Sequence, residues 1–178
     1  MIIKDKNKIT TPCDIVSIKE GEEIGIRLLH ELRNSKPSGI GLAANQIGIN
    51  KRVCIINVKE TIVLINPEII EKSEEKFPFV EGCLSFPKKN IKTERYVSIK
   101  VKADNHEGIL SFSAESGDIN DAFECACVQH EIDHLDGITM FERKRPSVTI
   151  KREGKKIGRN DKVTLTKGSE SKTLKYKK

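Results

Sequence analysis

Histidines 130 and 134 flank a glutamate in the run Gln129-His130-Glu131-Ile132-Asp133-His134. Residues four apart on a helix share one face, with Cβ atoms about 5–6 Å apart. Two imidazoles so placed can hold one divalent ion. Glu131 directly follows the first histidine, where its carboxylate can take a proton from water beside that ion. A third ligand decides the reaction class. The longer peptidase pattern H-E-x-x-H-x-x-G-x-x-H is met as far as Gly137, but Met140 stands where the third histidine belongs. Glu153, 19 residues after His134, keeps a zinc peptidase open as an alternative, although its Lys-Arg-Glu-Gly-Lys-Lys setting reads as an exposed turn. Upstream, Cys83 sits in Glu81-Gly82-Cys83-Leu84-Ser85 after an apolar run. A cysteine beside glycine on a tight turn can present a thiolate outward, and a nearby cation favours that form.

Three separated motifs together carry a resemblance. They are Gly39-Ile40-Gly41-Leu42-Ala43-Ala44-Asn45-Gln46, Glu81-Gly82-Cys83-Leu84-Ser85 and Gln129-His130-Glu131-Ile132-Asp133-His134. Their order and intervals resemble those of the peptide deformylase family, whose members remove the formyl group from nascent polypeptides. The likeness runs from about Gly39 to Phe141, and residues 1–17 carry little of it.

The resemblance implies a metal-dependent hydrolase acting on N-formyl-methionyl peptides. It maps the metal ligands onto Cys83, His130 and His134, with a fourth tetrahedral position left for water. Glu131 becomes the general base, while the Gln46 amide and the Leu84 N–H hold the developing oxyanion. One divalent ion per chain is expected, ferrous iron in the cell, with zinc, nickel or cobalt also compatible with a thiolate and two imidazoles. By the same resemblance Gly39, Ile40 and Gly41 meet the extended substrate, and Phe79, Phe123, Ala126 and Cys127 line the methionine pocket with Ile40. Arg95 is expected to pair with Glu81 and steady the cysteine turn. Ser38 and Asn90 stand where many members carry a glutamate and an arginine, so recognition beyond the methionine departs from theirs. A rival from another class is a non-catalytic metal-stabilised module that binds RNA or the ribosome, its site closed by Cys127.

The elements that must position these groups are partly legible. Ile24, Leu28 and Leu32 recur every four residues within 18–34, which predicts an amphipathic helix carrying a surface or half-buried histidine, His30, with no metal role. Asn34 to Gly39, with Pro37, ends it. Residues 118–135 predict a second helix, capped by Asp118 or Asn120, with Ile119, Phe123, Ala126, Cys127, His130 and His134 as its buried stripe. Arg52–Val58, Thr61–Ile65 and Tyr96–Ala103 are rich in Val and Ile and read as strands. The expectation is an α+β fold of mostly antiparallel strands around the helix that carries the two histidines.

Composition bounds the rest. The 178 residues are 37% apolar, enough to build a core without disulfides, and the five cysteines are an odd, scattered set that suits a reducing compartment. No apolar run approaches the roughly 18 residues of a membrane helix, and the start lacks a signal-like apolar region. A monomer in the cytoplasm, bacterial or that of a virus's host, is expected. The net charge of +6 is uneven. Residues 141–178 carry 14 Lys and Arg against 4 Asp and Glu, and the preceding 140 carry 18 against 22. Residues 1–141 therefore read as the catalytic part, and residues 142–178 as a basic extension of short strands or disorder suited to ribosomal RNA.

Overall fold

A computed structural model describes residues 1–145, 149–152, 162–167 and 170–175. It divides into two compact units, Met1–Lys144 and Arg145–Lys178.

The first unit is an α+β structure whose strand pairs are antiparallel. Helix α1 (Ile18–Arg33) begins at Ser17, whose hydroxyl accepts from the Glu20 N–H. That bond satisfies one of the donors a helix start leaves free. Ile24, Leu28 and Leu32 are buried along one face, whereas His30 is exposed. The face packs on a sheet of β1 (Gly41–Ala43), β2 (Val53–Asn57) and β3 (Thr61–Ile65), in the order β1-β2-β3. Strand β2 is covered on both sides, which explains its unbroken Val-Cys-Ile-Ile run. Val53 and Ile55 join the α1 cluster, while Cys54 and Ile56 join the cluster around the second helix.

That second helix, α2 (Ile119–Leu135), is capped by Asp118, which accepts from the Asn120 N–H at 2.8 Å. The expectation of a single buried stripe needs correction. Every residue from Glu124 to Leu135 is buried, whereas Ile119 and Phe123 are 63% and 39% exposed. The helix is central, with one side on β1 and β2 and another on a sheet of β4 (Glu68–Lys72), β7 (Ser98–Lys102) and β8 (Leu110–Ser113). Only its first turn reaches the surface, and so its N-terminal apolar residues stay half open.

A hairpin of β5 (Lys76–Cys83) and β6 (Phe86–Tyr96) completes the unit. Its register slips between Gly82 and Cys83, which sets Cys83 opposite Phe86 at the tip. Lysines, Asn90 and Pro78 on its outward face hide this hairpin from a periodicity reading. The strand expected over Tyr96–Ala103 is broken at Val97 between β6 and β7. In the second unit, β9 (Thr149–Arg152), β10 (Lys162–Lys167) and β11 (Glu170–Lys175) pair antiparallel in the order β11-β10-β9.

Residues 142–144, read above as the start of the extension, belong to the first unit. Lys144 bridges to Thr93, and Glu142 accepts from the Thr139 N–H at 3.0 Å and from Lys6 Nζ at 2.7 Å. Burial alone would raise the Glu142 carboxyl, but these hydrogen bonds outweigh it and lower it from 4.5 to about 2. A carboxyl lowered on folding adds stability above its unfolded value and loses it as pH falls through the folded one. Glu142→Gln should therefore reduce urea stability at pH 7, by less than about 1 kcal/mol for so exposed a pair. The deficit should shrink between pH 4.5 and pH 3. A deficit constant over that range would assign the loss to packing instead.

Candidate metal centre and active site

The tip of the β5–β6 hairpin delivers Cys83 to the face of α2 that carries His130 and His134. Ligand atoms of the three residues all lie within 4.8 Å of one another. Cys83 Sγ is 3.2 Å from His134 Nε2, and the two imidazole centroids are 4.8 Å apart. The outer nitrogen of His130, Nδ1, meets Glu81 Oε2 at 2.8 Å, which leaves Nε2 for the centre. His134 Nδ1 is buried with no partner among the described residues.

The donor set fits a divalent transition metal. One thiolate and two imidazoles suit borderline-soft ions and leave one tetrahedral position open. The two imidazoles sit in opposite electrostatic settings. Burial would lower the His130 imidazole, yet hydrogen bonds with Cys83 and Glu81 prevail and push it well above its ordinary value. His134 is pushed the other way, by burial first and then by the charges of His130 and Arg95.

Glu81 is itself fixed in place. Arg95 Nε and Nη2 donate to its two oxygens at 2.5 and 2.8 Å, and Thr93 Oγ1 donates at 2.5 Å. Burial would raise the Glu81 carboxyl, but Arg95 and His130 hold it far below the usual carboxylate range. The third guanidinium nitrogen of Arg95 donates to Asp133 at 2.5 Å.

Glu131 is 3% exposed, and its Oε2 has no partner among the described residues. Burial pushes its carboxyl up to about 7, with the opposing charge of His130 next in weight. A group near neutrality can both accept and return a proton. Gln46 points its amide nitrogen at the same place. Oε1 accepts from the Ala43 N–H at 2.8 Å, and Nε2 lies 3.1 Å from Ser85 Oγ and 3.4 Å from Cys83 Sγ. Leu84 follows Cys83, and its carbonyl accepts from Lys4 Nζ.

These groups open into a cavity of about 220 Å³. Gly39, Ile40 and Gly41 form one wall; Phe79, Phe123, Ala126 and Cys127 form the others, and Phe79 and Phe123 meet edge to face at 5.2 Å. Gly41 has a specific reason to be glycine. A Cβ there would lie 2.5 Å from Glu131 Oε1 and 2.6 Å from Cys127 Sγ.

Some candidates do not join the centre. Cys127 Sγ faces the Ile40 carbonyl at 3.5 Å and is not among the three clustered ligands. Met140 is buried outside that cluster, and Glu153 lies outside the described residues. Sequence reasoning missed Thr93 and gave no role to Ser85, Asp133 and Asn45, although these three stand within the motifs; Asn45 Nδ2 donates to the His134 carbonyl at 2.6 Å. Asp133 had left one sign, a second acid within a helix segment otherwise filled by apolar residues and histidines.

Comparison with known proteins identifies the family. Residues 2–149 match the family model described as polypeptide deformylase. A peptide deformylase of Heliobacterium modesticaldum is 46% identical over 106 residues, which is 59% of this chain and 66%, just under two thirds, of the relative. The crystal structure of peptide deformylase from Thermotoga maritima superposes with a TM-score of 0.71 at 28% identity, covering 82% of this chain and 97% of that one. A Met-Ala-Ser-bound class I type b peptide deformylase from Acinetobacter baumannii gives 0.69 at 29%, covering 80% and 97%. The chain belongs to the peptide deformylase family. The match extends beyond the Gly39–Phe141 likeness at both ends and takes in the N-terminal segment.

The crowding at Gly41 yields a test. Gly41→Ala should keep its metal and its fold while losing at least about tenfold in kcat/KM, because misplacing a catalytic carboxylate by an ångström costs roughly that or more. Unchanged kinetics would show that Glu131 does not need the space.

Proposed function

We propose that the protein hydrolyses the formyl amide of N-formyl-methionyl peptides, releasing formate and a free amine. One observation carries the reading. A buried, partly unpartnered Glu131 stands beside the Cys83, His130 and His134 cluster at the floor of a mostly apolar cavity.

A divalent ion held by these three side chains would polarise the formyl carbonyl and acidify water. Glu131 takes a proton from the attacking water and passes it to the departing amine as the C–N bond breaks. The Gln46 amide and the Leu84 N–H stabilise the negative charge that develops on the formyl oxygen. Strand β1 lies at the edge of its sheet, so the segment around Gly39–Gly41 can pair with an extended peptide. The methionine side chain fills the pocket of Ile40, Phe79, Phe123, Ala126 and Cys127. The Acinetobacter relative, solved with Met-Ala-Ser bound, supports a short peptide as the ligand of this fold. The working ion in the cell is ferrous iron, with zinc, nickel or cobalt able to replace it. Nascent chains place the activity in the cytoplasm, and one chain supplies every group named.

Formyl-Met-Ala-Ser is the test substrate. Glu131→Gln preserves size and hydrogen bonding but removes the base, so deformylation should fall by about 10²–10⁴-fold while metal content survives. Near-normal turnover would remove Glu131 from the role. Cys83→Ser should instead purify with little zinc or iron, since a hydroxyl is a poor replacement for a thiolate.

The basic extension makes the second part of the proposal, a salt-sensitive attachment to ribosomal RNA. Cutting the chain after Arg145 leaves the contacts of residues 142–144 intact. Hydrolysis of the short peptide should stay within a few-fold, while sedimentation with ribosomes at low salt should be lost. Equal ribosome binding by the shortened chain would sink this role for the extension.

A further inference from the structure

A chain of charged side chains leads from the metal centre to the far side of α2. His130 Nδ1 meets Glu81, and Glu81 is held by Arg95. Arg95 reaches Asp133, and there Arg143 closes the series. Arg143 Nε donates to Asp133 Oδ2 at 3.0 Å and Nη2 donates to Oδ1 at 2.7 Å, a two-pronged grip on the carboxylate. The side chains of Glu81, Arg95 and Asp133 are each less than a tenth exposed, whereas that of Arg143 is 39% exposed.

Arg143 gives Asp133 a second cation. Without it, among the described residues, Arg95 would be the one guanidinium shared by two buried carboxylates, Glu81 and Asp133. Leaving one buried charge uncompensated is costly, so the remaining cation is drawn toward it. The guanidinium of Arg95 is a rigid plate, and a pull at Nη1 also moves the Nε and Nη2 that hold Glu81. Glu81 in turn sets the plane of the His130 ring and its strength as a donor. Resting on the metal-centre reading above, we propose that Arg143 is a positioning residue for His130, acting through Asp133, Arg95 and Glu81 to set how tightly a divalent ion is held. Neither its position outside the three motifs nor its place among the basic residues after α2 suggests this role.

The experiment uses the full chain loaded with Zn²⁺, and separately with Co²⁺. Zn²⁺ transfer to a colorimetric chelator is timed, the visible absorption of the Co²⁺ form is recorded, and thermal stability is measured alongside. Arg143→Met should release Zn²⁺ about 3–10-fold faster, less than the tenfold to hundredfold typical of a direct partner of a ligand. Its Co²⁺ absorption should shift. Arg143→Lys keeps the charge without the two-pronged grip and should fall between Arg143→Met and the parent; it also decides the matter if Arg143→Met does not fold. In a Glu81→Gln background, Arg143→Met should add nothing further to the release rate. Lys100→Met, which breaks a surface pair with Glu71, is the control.

Parental release and an unchanged Co²⁺ spectrum in both Arg143 variants would overturn the proposal, whatever the change in melting temperature. So would an effect that adds fully to that of Glu81→Gln, because the action would then bypass Glu81. If the parent chain takes up no Zn²⁺, the metal centre itself fails and the relay with it. Uptake by the parent with indifferent Arg143 variants removes the relay alone.

Discussion

The pairing of Glu81 with Arg95 and His130 ties the hairpin tip to the central helix, and the site depends on it. Cys83 lies two residues beyond Glu81 on the same strand, so fixing that carboxylate fixes the cysteine's approach to the two histidines. The pair is buried on both sides, with Glu81 and Arg95 at 4% and 3% exposure. Ionic groups in such a place persist only when their hydrogen bonds are filled. Here Thr93, Asp133 and His130 fill them. The arrangement serves geometry more than stability, since apolar replacements often pack as well as buried ion pairs.

Burial of α2 on all sides gives that geometry a rigid base. A surface helix would leave His130 and His134 in high dielectric, with solvent competing for their nitrogens. Enclosed between the β1–β3 sheet and the β4-β7-β8 sheet, the same side chains are buried, and His130 meets a fixed partner in Glu81. Glu131 shows the consequence most directly, because burial is the leading reason its carboxyl lies near 7. The short β1 strand brings its glycines close enough to complete the wall. Gly41 leaves room for Glu131, and Gly39 packs where a Cβ would lie 2.6 Å from Leu84 Cδ1.

The groups that tune the centre come from places with no shared sequence signal. Thr93 and Arg95 lie on β6, Asp133 on α2, and Arg143 beyond the helix in the turn that also carries Glu142. Each makes an ordinary hydrogen bond. Together they form one connected set of polar and charged groups, a property of the whole unit.

Local pattern determined a good deal of this protein by itself. The fourfold spacing of Ile24, Leu28 and Leu32 defined α1, and the spacing of His130 and His134 put two imidazoles on one helical face. Helix periodicity and capping are short-range effects, so residues a few positions apart carry them. The order of the three motifs, with Cys83 the upstream candidate, pointed to the chemistry. The β5–β6 hairpin stayed hidden because its outward face is polar and interrupted by Pro78, and the full burial of α2 because a helix enclosed by two sheets shows no single stripe. Tertiary structure alone brought Glu81, Arg95, Asp133 and Arg143 into one series. The bond between Arg95 and Asp133 spans 38 residues and arises only because a strand is packed against the helix, and no local pattern encodes that distance.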